Sequence, residues 1–120
     1  MKTESEITRE IMERFNNAFG NHRPQELDDL IGEGCVLENT APAPDGARYE
    51  GRDACLAFWK GLASSASHNF KVEEISAMGD RAILRWQLRW SEHEADRVRG
   101  VNIMRVRDGK IVEAMGYVKG

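Results

Sequence analysis

Arg81-Ala82-Ile83-Leu84-Arg85-Trp86-Gln87-Leu88-Arg89-Trp90 is the stretch on which the fold turns. Successive side chains of a strand point to opposite faces, and this stretch sorts on a period of two. Ala82, Leu84, Trp86, Leu88 and Trp90 share one face; Arg81, Ile83, Arg85, Gln87 and Arg89 share the other. Burying a large apolar side chain stabilises by about 1.5–3 kcal/mol, whereas burying unpaired arginines is strongly unfavourable. The apolar set is therefore predicted to face a core. The same test turns Val98, Gly100, Asn102, Met104 and Val106 inward in the next alternating segment, with Asn102 the one polar exception.

Outward from this strand the period-two pattern continues on both sides. Asn69–Met78 precedes it across a Gly79-Asp80 turn. Val98–Val106 joins Ile111–Val118 through Arg107-Asp108-Gly109-Lys110. The Asp-Gly pair suits a tight hairpin, whose central residues need positive φ. Before His68 the period is helical. Thr3-Glu4-Ser5-Glu6 has capping-box spacing and opens a helix to about Phe19, with Ile7, Ile11, Phe15, Ala18 and Phe19 on one face. Gly20-Asn21 stops it. A second, shorter helix is expected over Pro24–Ile31, buried through Leu27, Leu30 and Ile31 and ended by Gly32 and Gly34. Cys35–Asn39 reads as a short strand and Thr40–Gly46 as a loop. A third helix follows Gly51 to about Ala63, with Ala54, Phe58 and Leu62 as its apolar stripe and Ala57 beside them. The order is α-α-β-α-β-β-β-β over one domain, residues 1–120. Helices first and an antiparallel meander last make the class α+β.

Composition bounds the function. The 120 residues are 41% hydrophobic and 31% charged with a net charge of −3, values of an ordinary soluble domain able to bury one core. Acids and bases are interspersed without a basic tract, which argues against nucleic acid. No apolar run is long enough to span a membrane. The opening residues carry no secretory core, so a cytoplasmic location is expected. Two cysteines, Cys35 and Cys55, are too few for a disulfide scaffold and read as buried free thiols. His93 between Glu92 and Glu94 does not make a convergent metal site, so neither metal nor cofactor is expected.

The element order, together with Tyr49-Glu50-Gly51-Arg52-Asp53-Ala54, Gly79-Asp80-Arg81 and Arg105-Val106-Arg107-Asp108-Gly109-Lys110-Ile111-Val112, resembles the SnoaL-like branch of the nuclear-transport-factor-2-like superfamily over essentially the whole chain. The resemblance implies a cone, in which a curved antiparallel sheet wraps the long N-terminal helix and a pocket opens at the wide end. It also implies relatives among polyketide cyclases, ketosteroid isomerases, dehydratases and limonene-type epoxide hydrolases. Fold alone does not choose among these. The hydrolase pattern's arginine and two aspartates fall here on Trp86, Leu88 and Gly116, and only Asn39 matches. The isomerase pattern's tyrosine falls on Phe15, and its base on the segment of Cys35, Leu37 and Asn39. The cyclase acid falls on Gly116.

With the acids missing, the leading expectation is a binding domain for a small apolar molecule. Its pocket is lined by Phe15, Leu37, Asn39, Phe58, Leu84, Trp86, Leu88, Asn102, Met104 and Gly116, with Asn39 and Asn102 orienting the ligand. Trp59, Trp86 and Trp90 offer either an aromatic cage or core packing. The rival is an isomerase, cyclase, dehydratase or epoxide hydrolase of polyketide-, steroid- or terpenoid-like substrates, with His68 or Glu38 as the acid–base group. Asp53 is read instead as a helix N-terminal charge. A third reading is a dimeric scaffold whose cone is filled by its own side chains. The outer sheet face mixes Ile83, Val101, Ile103, Met115 and Tyr117 with Arg85, Arg89, Arg99, Arg105 and Arg107. It is expected to form a homodimer interface through Ile83, Arg85, Val101, Ile103, Arg105 and Tyr117.

Overall fold

Thr3 caps the first helix as its spacing predicts. Its hydroxyl accepts from the Glu6 amide at 3.1 Å, and the Glu6 carboxylate returns to the Thr3 amide at 3.4 Å. In the computed structural model, which describes all 120 residues, this helix, α1, runs Glu4–Gly20. It buries Thr8, Ile11, Met12, Phe15, Ala18 and Phe19 on one side, while Ile7 stays exposed. Helix α2 spans Arg52–Ser64. The strands are β1 Ile31–Glu38, β2 Arg48–Glu50, β3 Asn69–Met78, β4 Arg81–Arg89, β5 Arg97–Arg107 and β6 Lys110–Val118. They form one sheet in the order β2-β1-β6-β5-β4-β3, packed against α1. No helix is long and apolar enough to cross a membrane.

The fold is α+β, but it departs from the expected layout in three places, two of them in element order. The short second helix is only a 3₁₀ turn, Pro24–Leu27, and Ile31 already belongs to β1. Gly32 and Gly34, read as helix stops, lie inside that strand. Gly32 is a glycine because it is pressed against β6, where a Cβ would come within 3.0 Å of the Val112 side chain. The register between β1 and β6 shifts between Ile31 and Val36, and interior glycine is common at such irregularities. Second, Arg48–Glu50 adds an antiparallel edge strand to β1. Third, the sheet is mixed, because β1 runs parallel to β6. Local periodicity holds no information on strand direction.

The β4–β5 alternation holds through Trp86 and fails at Trp90. Ala82, Leu84, Trp86, Gly100, Met104 and Val106 are buried; Leu88, Val98 and Asn102 are half-buried; Trp90, beyond the end of β4, is 47% exposed. The α2 stripe also differs. Cys55, Leu56, Trp59 and Ala63 are buried, Phe58 and Leu62 are half-buried, and Ala54 and Ala57 are exposed. Both sets repeat at helical spacing, and the set holding the larger area, Leu56 and Trp59, wins the core. The β5–β6 hairpin forms as expected, with Asp108 and Gly109 at φ of +52° and +73°. Cys35 and Cys55 are free and buried, and Cys55 Sγ lies 3.4 Å from the Cys35 carbonyl oxygen.

Candidate functional site

α1 lies along the sheet and is pinned at one end. Thr8, the only buried polar residue, donates its hydroxyl to the Gly79 carbonyl at 2.6 Å, and the Gly79 amide donates to Ser5 Oγ at 2.8 Å. Away from this tie the helix, the sheet and α2 diverge around a cavity of about 320 Å³. That size is at the lower end of ligand pockets, about 300–1,000 Å³.

Aromatic rings form much of the wall. Trp59 meets Phe15 edge-on at 5.1 Å, Phe15 meets Phe19 at 4.9 Å, Phe19 meets Phe70 at 5.5 Å, and Phe70 meets Trp86 at 6.0 Å. All five residues line the cavity. Edge-to-face contacts of this kind fix ring orientation beyond what area burial gives. The chain of rings runs from α2 through α1 to β3 and β4, giving a stiff apolar lining.

Of the ten expected lining residues, Phe15, Leu37, Asn39, Phe58, Trp86, Leu88, Asn102 and Gly116 come together at the cavity. Leu84 and Met104 do not. They are deeper on the same faces, fully buried in the core cluster. Sequence reading missed Phe19, Phe70 and Asn16 as lining residues, and Trp59, offered there as either cage or core, lines the cavity with Trp86. Phe19 had a usable signal, since it lies four residues beyond Phe15 on the α1 surface, and Asn16 stands three residues before Phe19.

The titratable groups at the wall are Glu38 and Lys71. Glu38 borders the cavity beside Gly116, but its carboxylate accepts from Arg48 Nη1 at 2.8 Å, and Arg48 also binds Glu50 at 2.8 Å. Glu38 and Arg48 are cross-strand partners, which holds the carboxylate on the far side from Leu37. Lys71 is an exposed rim residue. His68 is half-buried and does not line the cavity, and its Nδ1 is buried without a protein partner. Asp53 is fully exposed in the first turn of α2. Trp90 lies away from the cavity, so the three tryptophans do not make one cage.

The polar groups facing inward are therefore mainly amides. Trp86 Nε1 donates to Asn102 Oδ1 at 3.0 Å, and Asn39 and Asn16 stand at other points of the wall. Such groups orient a ligand and carry no proton-transfer capacity near neutrality.

The model of the SnoaL-like domain matches residues 12–114. Among solved structures, an NTF2-like protein of unknown function from Mesorhizobium loti is 52% identical, with a TM-score of 0.92 over 100% of this chain and 97% of that one. A putative ketosteroid isomerase from Kribbella flavida is 19% identical with a TM-score of 0.82, over 98% of this chain and 82% of that one. An LEH-like epoxide hydrolase from M. tuberculosis is 21% identical with a TM-score of 0.76, over 99% and 83%. Likeness at 19–21% identity speaks to fold alone. No curated protein matches the chain.

Proposed function

The chain belongs to the SnoaL-like domain family, with an NTF2-like fold, and from that premise we propose that it is a binding domain for a small, largely apolar molecule held in a conical pocket. One observation carries this reading: a stiff aromatic wall encloses the cavity, and the nearest carboxylate, Glu38, is engaged by Arg48. Isomerase or hydrolase chemistry needs an acid–base group within about 3.2 Å of the reacting atom, or one water away. His68 stands off the wall, and the inward slots at Trp86, Leu88 and Gly116 offer no acid. The self-filled scaffold reading is disfavoured by the open volume beside Trp86, Leu88 and Asn102.

Tryptophan emission tests the proposal, because Trp59 and Trp86 line the cavity. Titration with terpenoid, steroid and aromatic polyketide compounds is expected to shift emission and raise the melting temperature for at least one class. Absence of both responses across the panel would sink the binding reading. Turnover of any panel compound by the wild-type protein would replace it with the enzymatic one.

The reading includes a homodimer through the outer sheet face. Ile83 and Ile103 are cross-strand partners, 43% and 37% exposed, and Tyr117 is 55% exposed opposite Val101. Both charge signs flank them, in Arg99 with Glu73 and Arg105 with Asp80. A second copy turned by a two-fold axis presents the same apolar stripe and can match opposite charges. Light scattering at micromolar concentration should give twice the 13.6 kDa chain mass; a monomer refutes this part.

A further inference from the structure

Trp86 and Asn102 form a polar device inside the apolar wall. The indole N–H can only donate, so the atom of Asn102 that receives it, at 3.0 Å, is the amide oxygen. This settles which prong of the amide is which, an assignment that geometry alone leaves ambiguous for most amides. The other prong, the Nδ2 group with its two N–H donors, has no hydrogen-bond partner in the protein, and Asn102 lines the cavity.

Two glycines make room for this arrangement. Gly100 is the cross-strand partner of Trp86. A Cβ there would come within 2.5 Å of the Tyr117 carbonyl oxygen and 2.6–2.7 Å of the Trp86 ring, so the indole lies directly on bare β5 backbone. Gly116 is the partner of Asn102. A Cβ there would stand 3.2 Å from Asn102 Oδ1 and 3.1 Å from Thr40 Cγ2. Space, not backbone conformation, is what both positions require. Across the cavity on α1, Asn16 also lines the wall, and its Nδ2 is buried without a partner. A buried unpaired donor is costly, so whatever fills the cavity, solvent or ligand, has to supply an acceptor.

We propose that Asn102, held by Trp86, is the specificity-determining donor of this cavity, and that the ligand is an uncharged molecule with an apolar body and a carbonyl oxygen at that end. The inference rests on the cavity being a ligand site. A carboxylate is excluded by the want of a cation deep in the wall, since Lys71 sits exposed at the rim and a buried unpaired charge is strongly unfavourable. A pure hydrocarbon leaves the Nδ2 donors unpaired.

Calorimetric titration with a matched pair, 2-acetylnaphthalene and 2-isopropenylnaphthalene, tests it. The two differ in one carbonyl oxygen replaced by a methylene. The wild type is expected to favour the ketone about tenfold, the scale of one buried hydrogen bond against an unpaired donor. Asn102→Asp, titrated at a pH that keeps its carboxyl ionised, keeps an acceptor for the indole N–H and deletes the donor, so the ketone preference should vanish while the Trp86 indole N–H resonance stays in place. In wild-type protein the Asn102 side-chain amide resonances should move on binding the ketone and not the hydrocarbon, a measurement that needs no variant to fold. Equal binding of the pair by wild type, or an undiminished preference in Asn102→Asp, overturns the inference and leaves the cavity reading intact. Binding of neither probe overturns both.

Discussion

Leu84 and Leu88 stand on the same face of β4, yet one is core and the other is wall. Leu84 is 1% exposed within the core cluster, with Ile75 and Asn102 as its cross-strand partners. Leu88 is half-buried between its cross-strand neighbours Phe70 and Val98, and all three face the cavity. The difference lies in α1. It is tied to the β3–β4 turn through Thr8, Ser5 and Gly79, so it fills the sheet at that end. At the other end the space between helix and sheet is left open. Two ends of one strand thus share a sequence pattern and differ in what their side chains are for.

The sharpest way to break that comparison is to truncate the closed end. Leu84→Ala should cost about 3 kcal/mol, because transfer and cavity terms add where neighbours cannot collapse. Denaturant unfolding measures it. Ligand affinity of the surviving folded fraction should not change, since Leu84 does not touch the cavity. A loss under about 1 kcal/mol would mean that the two ends are packed alike.

At the boundary between the ends, Gly100→Ala should cost about 1–3 kcal/mol by overpacking. Here the clash is with the Trp86 ring and the Tyr117 backbone. The displaced indole should shift tryptophan emission, which a remote destabilising substitution would not do in the folded state.

The closed core should also behave as a dry medium. Burial raises the pKa of Cys35 above its ordinary value of 9.0, with the neighbouring Cys55 adding to the shift, and burial likewise raises that of Cys55. A raised pKa means that the folded state holds its proton more tightly than the unfolded chain. The thiol contribution is therefore fully present below about pH 9 and lost as pH rises toward the folded value. For Cys35, whose shift is the large one, the slope approaches about 1.4 kcal/mol per pH unit, and Cys55 adds in the same direction. Unfolding free energy measured from pH 8 to 10.5 should show this decline, and Cys35→Ala should flatten part of it.

What was legible in the sequence follows from what periodicity encodes. Alternation assigned the inner faces of β4 and β5, and capping and turn chemistry at Thr3–Glu6 and Asp108-Gly109 placed two element boundaries. Face is local information. Depth along a face is not, so Leu84 and Met104 were expected at the pocket with Leu88 and Asn102. The parallel pairing of β1 with β6 escaped for the same reason. Gly32 misled because a glycine needed for close approach to Val112 looks, in sequence, like a helix stop. The aromatic chain around the cavity draws on two helices and two strands, a convergence that no local window contains.

The smallest effect on stability discriminates best. Leu88→Ala repeats the Leu84 substitution with the same atoms removed from the same face of the same strand. Leu88 already borders open space, so its truncation enlarges an existing cavity instead of creating one in packed core. The surrounding cost reduces to the transfer term of a half-buried side chain, about 1 kcal/mol. Binding should respond in the opposite order. An apolar ligand that packs on Leu88 loses part of its contact area, while one tested against Leu84→Ala loses none. Measured together by unfolding and by titration with 2-acetylnaphthalene, the two variants should therefore trade rank, Leu84→Ala worse for stability and Leu88→Ala worse for affinity. Equal ranks in both assays would mean that the open end of the sheet is ordinary core and that the cavity beside Trp86 has no claim on a ligand.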